Sequence, residues 1–362
     1  MLRAYKVRLK TNDKLNTKFR QCAGVARYVY NWGLAEWKRQ YEAGEKPSYV
    51  KLNKQFNAIK REQCAFVTEY PYAISEAALR NLETAFKNFF RRVKQGADKA
   101  GYPKFKKRGI SMSFQLRNVK IFSDRVRLPL IGEVGICEHD YIPVSADYGT
   151  YATVSERAGY WYLSVLVDNG KEAPAYREGS RLGVDVGIKT LAVFSDGNEI
   201  ENPKALAKAE KKLARLQQEL SRRAKGSKNR EKTNVKVARL HERVSNIRRH
   251  AQHQASHYAT RMGGTVVIET LNVKGMMQNA KLARSISDVG MYEIHRQIEY
   301  KAKWRGARVV KADQWFASSK TCSGCGYRVT NLTLAIRTFV CPECGLEIDR
   351  DLNAARNLAA LV

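Results

Sequence analysis

Four cysteines near the C-terminus, Cys322, Cys325, Cys341 and Cys344, are spaced C-x2-C-x15-C-x2-C. Two knuckles of this kind, presented by facing hairpins, supply the four thiolates that Zn2+ takes in a tetrahedron. A glycine follows each knuckle, Gly326 and Gly345, and permits its tight turn. With all four positions filled by protein, one zinc ion would be structural. Two disulfides are the rival reading, but nothing in the sequence indicates an oxidising compartment. Cys22, Cys64 and Cys137 lie scattered among apolar neighbours and read as small buried thiols.

Three acids stand where acids are costly. Asp185 lies inside Leu182-Gly183-Val184-Asp185-Val186-Gly187-Ile188, Glu269 ends Val266-Val267-Ile268-Glu269, and Asp351 opens the last helix. An ionised carboxylate among apolar neighbours needs a partner or a metal. Taken singly, each has a plainer role. Asp185 would be a turn or cap, Glu269 the partner of a buried Lys or Arg, and Asp351 a helix N-cap or first-turn acid. The order of elements around them is strand, strand, short strand, helical insertion, strand, helix, strand, insertion, helix. That order matches an RNase H-like α/β core, in which the strands carrying Asp185 and Glu269 lie side by side and the three acids converge. Hard oxygen ligands suit Mg2+. Two such ions would activate a water and stabilise the leaving oxygen in phosphodiester hydrolysis.

The elements that must position these groups are legible in the periodicity. Residues 1–10 alternate as a strand. Leu15, Phe19, Cys22, Ala26 and Val29, then Leu79, Leu82, Phe86 and Phe89, mark two amphipathic helices. From about residue 111 the period becomes two, with runs at Val119–Phe122, Val126–Leu128, Tyr151–Val154 and Trp161–Val167 and a turn at Ala158-Gly159. This reads as a small antiparallel sheet or barrel. Apolar runs at Leu182–Ile188 and Thr190–Phe194 lead to the turn Asp196-Gly197. A helical hairpin follows, with seams at Leu213, Leu216, Leu220 and at Val237, Leu240, Val244, Ile247. A strand at Thr265–Ile268, a helix from about Ile286 to Arg305, a strand at Ala307–Ala312 and a final helix at Ala354–Leu361 complete the chain.

The charge balance names the partner class. The 362 residues carry 65 Lys+Arg against 35 Asp+Glu, a net +30. Such a charge calls for a polyanion. No window is apolar for 18 or so residues, so a membrane span is excluded, and the N-terminus lacks a signal-peptide core. Residues 87–108 hold nine cations and one acid, Asp98, and residues 201–250 hold 16 Lys/Arg against 5 Asp/Glu. The first run interleaves Phe89, Phe90, Tyr102 and Phe105, on which bases can stack. Arg91, Arg92, Lys104, Lys106, Lys107 and Arg108 are therefore candidate nucleic-acid contacts, with Arg222 and Arg223 at the hairpin tip. A solvated face and a disordered tip are the plainer readings. His250, His253 and His257 share one helical face; a metal site there lacks evident partners, and a polar face is preferred. There is no P-loop, no GxGxxG and no arguable Ser-His-Asp or Cys-His constellation.

The chain resembles the transposon-encoded TnpB (OrfB) proteins, RuvC-like nucleases related to type V CRISPR effectors. The resemblance runs the length of the chain. It is carried by Gly24–Asn31, Leu82–Arg92, Gly101–Lys106, Gly183–Lys189, Ile268–Val273, Ser318-Ser319-Lys320-Thr321-Cys322 and Asp349–Ala355. Thr270 stands where the family often has an acid, and Met291 where an aromatic is frequent. The resemblance implies a nuclease triad at Asp185, Glu269 and Asp351, binding two Mg2+, and zinc ligands at the four paired cysteines. The choice of Asp351 over Asp349 rests on the family's spacing to Asn353. It further implies guide RNA and double-stranded target DNA as partners and a short motif beside the target read by the protein. The setting would be the cytoplasm, at the nucleoid in a prokaryote. The expected layout is an α/β multidomain protein. It comprises a first wedge strand (1–10), a helical recognition region (11–110) and a wedge β-barrel (111–175). A RuvC core (176–314) with a basic helical insertion (202–262), a zinc ribbon (315–347) and the last RuvC segment (348–362) follow. The rival functions are a nuclease-inactive RNA-guided DNA-binding regulator and a DNA transposase built on the same core; a zinc-ribbon transcription or translation factor leaves the acids unexplained.

Overall fold

The structure is a computed structural model and describes residues 1–110, 112–144, 152–168, 170, 172, 174–332 and 336–362. It divides into two units, Met1–Lys171 and Glu172–Val362.

The first unit runs β1 (Leu2–Arg8), α1 (Asp13–Glu42), α2 (Tyr49–Gln63), α3 (Tyr72–Lys94), β2 (Ser113–Leu116), β3 (Lys120–Ile121), β4 (Arg125–Leu128), β5 (Gly132–Gly135), β6 (Ala152–Arg157) and β7 (Tyr160–Asp168). Asn12 caps α1, its Oδ1 accepting the Leu15 N–H at 2.9 Å. The two apolar stripes expected to be helical fall in α1 and α3 and are buried in one core. There Trp37 stacks on Phe86 with ring centroids 4.4 Å apart. Burial of such aromatic pairs is what holds two helices this long together. Ala158 and Gly159 take left-handed backbone angles, φ 54° and 81°, and close a two-residue hairpin between β6 and β7.

The expected wedge barrel is corrected. The strands form two open antiparallel sheets, β1-β7-β6-β2 and β3-β4-β5, linked by a bridge between Leu9 and Ile136. Among the described residues there is no closed barrel. Closure needs strands long enough to tilt and pair all the way round. Here β3 has two residues and β4 and β5 four each, and they pair only with one another. Tyr151, in the run read as Tyr151–Val154, lies outside the described residues.

The second unit runs β8 (Arg181–Asp185), β9 (Thr190–Phe194), β10 (Glu199–Glu201), α4 (Ala205–Arg222), α5 (Lys228–Met262), β11 (Thr265–Ile268), α6 (Val273–Met276), α7 (Ala283–Val289), α8 (Met291–Arg305), β12 (Arg308–Lys311), β13 (Thr338–Val340), β14 (Glu347–Asp349) and α9 (Arg350–Ala359). Its main sheet has the order β10-β9-β8-β11-β12. β8, β11 and β12 are parallel, whereas β9 and β10 run as an antiparallel meander from β8. One face of this sheet, through Leu182, Val184, Val266 and Ile268, is covered by Ala251, Ala255 and Ala259 of α5 and by Ile294 and Ile298 of α8. The helix expected over Ile286–Arg305 is two helices. Gly290 adopts φ 65° and its N–H closes α7 on the Ile286 carbonyl at 3.1 Å. Only glycine takes that angle without strain, so the period of 3.6 continues across a break that periodicity alone does not reveal. Among the described residues no helix is long and apolar enough to cross a membrane.

Candidate functional site

The acids are placed by sheet register. β8 and β11 pair in parallel with Gly183 beside Val267 and Val184 beside Ile268. The ladder ends at that pair, where paired strands lie about 5 Å apart, and Asp185 and Glu269 are the next residues along the two chains. Side chains alternate between faces. Val184 and Ile268 go to the covered face, so Asp185 and Glu269 share the opposite one with Gly183 and Val267. That opposite face is where α9 packs, with Leu358 against Val267 and Ala312.

Gly183 sets how close α9 can come. A Cβ there would lie 1.9 Å from the Ala355 carbonyl oxygen and 2.7 Å from the Ala359 nitrogen. Both are backbone atoms and cannot swing aside. Ala355 stands one turn beyond Asp351, so this approach lays Asp351 over the ends of β8 and β11. Gly183→Ala is expected to cost about 3 kcal/mol or more and to push Asp351 away from Asp185. A urea unfolding midpoint unchanged by Gly183→Ala would contradict this packing.

Asp349 and Asp351 do different work. Asp349 is the N-cap of α9, its Oδ1 accepting the N–H groups of Asp351 at 2.9 Å and Leu352 at 3.1 Å. Its oxygen is spent on the helix end. Asp351 is left with the Arg337 guanidinium at 3.7 Å. Glu269 accepts a hydrogen bond from Ser318 Oγ at 2.5 Å.

Electrostatics tie the three acids together. Burial pushes the Asp185 carboxyl well above the usual carboxylate range; the charges of Glu269 and Asp351 push it further, Asp349 adds to this, and Arg350 opposes it. Burial also raises Glu269, with Asp351 adding to the rise, and the Ser318 hydroxyl opposes. These are buried like charges with too little compensating cation. Both acids bind protons more tightly in the fold than in the unfolded chain. Between the ordinary carboxylate values and the raised folded ones, the fold holds more protons at these two acids, so their contribution to stability falls as pH rises through that window. Other groups, such as His295 with its value lowered by burial to about 4, titrate in the opposite sense, so the effect is read as a difference. The stability of Asp185→Asn relative to the parent is expected to rise as pH climbs from about 4; denaturant midpoints of the two proteins across pH check this, and a relative midpoint that fell over that range would contradict it.

The cysteines form a metal-ready cluster. β13 and β14 pair antiparallel, and Cys322 and Cys341 are buried beside Phe339. The Cys322 and Cys344 sulfurs are 3.6 Å apart and those of Cys325 and Cys341 3.5 Å apart. All four ligand atoms lie within 4.8 Å of one another. A tetrahedron with Zn–S bonds of about 2.3 Å has edges near 3.8 Å, so one zinc ion fits and disulfides do not form. Burial raises the Cys322 thiol, but the N–H groups of Cys325 and Gly324 and the neighbouring thiols outweigh it and bring the value down to about 7. Among the described residues this is the one group of three or more His/Cys/Asp/Glu placed to hold an ion, and Asp185, Glu269 and Asp351 are not in it. Three carboxylates of like charge have no reason to draw together without a cation between them. Their donor set, three hard oxygens, is nevertheless the one divalent magnesium takes.

The basic candidates are on the surface. Arg91, Arg92, Lys104, Lys106, Lys107, Arg108, Arg222 and Arg223 are all exposed. Arg223 pairs with Glu219 at 3.2 Å and Arg92 donates to the Ala100 carbonyl at 3.3 Å. Asn31 fastens the loop, exchanging hydrogen bonds with the Lys106 backbone at 2.8 and 3.0 Å, while the Lys106 ammonium lies 4.1 Å from the Tyr30 ring centroid. Arg20 and Arg27 of α1 join Lys106, Lys107 and Arg108 around a groove of about 440 Å3. Sequence reasoning missed these two arginines, although their spacing of seven on the polar side of α1 was a usable signal. Phe90, Tyr102 and Phe105 are exposed, and Phe89 packs edge-on to Tyr102 at 5.2 Å. Among the described residues no metal-ready group includes the three histidines; His257 Nδ1 meets the Arg305 guanidinium at 2.9 Å.

Comparison with known proteins follows the same lines. Residues 164–280 match the family model described as "Probable transposase", residues 292–358 one described as "Cas12f1-like, TNB domain", and residues 1–46 one described as "Helix-turn-helix domain". A Streptomyces pristinaespiralis protein provisionally named RNA-guided DNA endonuclease is 36% identical over 99% of this chain and 89% of its own length. The Escherichia coli K12 protein InsQ, provisionally named the same way, is 32% identical over 99% of this chain and 92% of its own. Among solved structures, the mini-RNA-guided endonuclease CRISPR-Cas_phi3 superposes with a TM-score of 0.50 at 10% identity, covering 99% of this chain and 92% of that one, and so shares the fold. Identity of this extent over essentially the whole length means that the chain belongs to the TnpB (OrfB) family of transposon-encoded proteins.

Proposed function

We propose that the protein is an RNA-guided DNA endonuclease whose second unit is an RNase H-like, RuvC-type nuclease core. What supports this reading most is the parallel pairing of β8 with β11 just before Asp185 and Glu269, with α9, which bears Asp351, packed closely on Gly183; the charges of Glu269 and Asp351 both raise Asp185. The strand order with a central parallel trio and an antiparallel meander supports the core assignment. The relatives' names support the activity.

Asp185, Glu269 and Asp351 would hold Mg2+, and bound there two ions supply an activated water and a stabilised leaving oxygen. The chain's own contribution is to fix three carboxylates on rigid elements. The exposed cations, with Arg20 and Arg27, would hold the phosphate backbone of guide RNA and target DNA, leaving sequence to base pairing. A short motif beside the target would be read by residues 1–175, which we divide into a recognition region (11–110) and wedge sheets (1–10 and 111–175). The cysteine module (315–347) would hold zinc.

Sequencing RNA that co-purifies with the full chain tests the reading. A discrete species with a variable 3′ segment, and Mg2+-dependent cutting of DNA matched to that segment, are expected. Cleavage indifferent to the RNA, or strand-transfer products formed without it, would favour the transposase reading instead.

A further inference from the structure

Glu269 is held by a side chain that the nuclease reading leaves unused. Ser318, 4% exposed, donates its hydroxyl to Glu269 Oε1. This pins one carboxylate oxygen and would leave Oε2 the freer to meet an ion. The hydroxyl is itself fixed. The Ser318 N–H closes a turn on the Phe316 carbonyl at 2.9 Å, and the Ser318 carbonyl accepts from Asn357 Nδ2 at 2.7 Å. The same Asn357 nitrogen reaches the Thr321 carbonyl at 2.6 Å. Asn353 completes the clamp. Its Nδ2 donates to Thr321 O at 2.7 Å and its Oδ1 accepts the Ser323 N–H at 2.9 Å.

Asn353 and Asn357 are buried, at 0% and 7% exposure, and stand one turn apart on α9. Apolar side chains would hold this contact together equally well, but without direction. Buried amides with directed hydrogen bonds favour one arrangement. The helix that opens with Asp351 therefore sets the path of residues 318–323, and Ser318 passes that setting to Glu269.

We propose that Ser318 is a positioning residue that fixes the Glu269 carboxylate for a divalent cation, with Asn357 of α9 as its brace. The proposal rests on reading the three acids as a divalent-cation site. A carboxylate free to rotate must be ordered when the ion binds, and groups that orient a ligand in this way typically change metal affinity 10–100-fold.

The test compares Ser318→Ala, Ser318→Cys and Ser318→Thr in the full chain. Mn2+ binding is read by EPR, and the Mg2+ midpoint of target cleavage is read on the guide-loaded protein. Ser318→Ala and Ser318→Cys are expected to weaken Mn2+ binding and raise the Mg2+ midpoint by about tenfold or more. Ser318→Thr, which keeps the hydroxyl, should return both to near the parent values. Target binding in EDTA and zinc content should not change. Ser318→Cys keeps the site filled but replaces the hydroxyl with a weak donor, so it carries the test if Ser318→Ala fails to fold. Mn2+ affinity and Mg2+ midpoint within twofold of the parent in Ser318→Ala or Ser318→Cys would overturn the proposal. So would a loss of cleavage that saturating Mg2+ leaves with an unshifted midpoint. Asp185→Asn, run alongside, separates the two levels. If it keeps Mn2+ binding and cleavage, the cation-site reading fails; if it loses both while the Ser318 variants match the parent, only the role of Ser318 fails.

Discussion

Asp185→Ala in the guide-loaded protein is expected to lower target cleavage by about 10^4-fold, the scale seen when one member of a cooperating catalytic set is removed. Guide and target binding should stay within about twofold of the parent. Asp185 ends β8, and the charges of Glu269 and Asp351 both push its carboxyl up. Alanine keeps the strand and removes the carboxylate proposed as a shared ligand. Single-turnover cleavage and filter binding on the same preparation measure both quantities. A variant that cuts at parental rate would remove the assignment of the site. One that loses binding and cutting together would show the acid to be a folding element instead.

Removing zinc is expected to have the second largest effect. Cys341→Ser, or prolonged chelation, should abolish stoichiometric zinc, make residues 322–344 cleavable by protease, and suppress nuclease activity. The module has little else to hold it: its core is Phe339 with Cys322 and Cys341, and Val329, Leu332, Leu346 and Ile348 packed only partly buried around them. Structural zinc contributes on the order of 10 kcal/mol in small four-ligand domains, more than so small a core supplies. Activity should follow because the Ser318–Ser323 path, clamped by Asn353 and Asn357, leads directly into the first knuckle. Zinc content by mass spectrometry, limited proteolysis and cleavage rate should fall together. A Cys341→Ser protein without zinc that resists protease would contradict a structural role.

Much of this site was legible in the chain because its chemistry is local. The cysteine knuckles are defined by spacing within a few residues, and the four sulfurs meet as the spacing requires. Asp185 and Glu269 stood out because each breaks an apolar strand. Their pairing followed from the order of elements, and β8 and β11 pair in parallel up to Val184 and Ile268, the residues just before them. What stayed hidden depends on contacts between distant segments. Gly183 reads as an ordinary strand glycine until the Ala355 carbonyl is found against it. Ser318 reads as one of two serines before a knuckle until its hydroxyl is found on Glu269. The division between α7 and α8 at Gly290 was missed because the apolar period runs through it. The wedge barrel was over-read for a related reason: alternation specifies a strand and its buried face, but not which edges pair. β1 and β2 end as opposite edges of one sheet.

The most direct measurement is anomalous scattering from crystals of the protein soaked in Mn2+. Density is expected within ligand distance of carboxylate oxygens from Asp185, Glu269 and Asp351, and is expected to vanish in Asp185→Asn. Manganese bound elsewhere, with these three carboxylates left without an ion at saturating concentration, would contradict the account at its root.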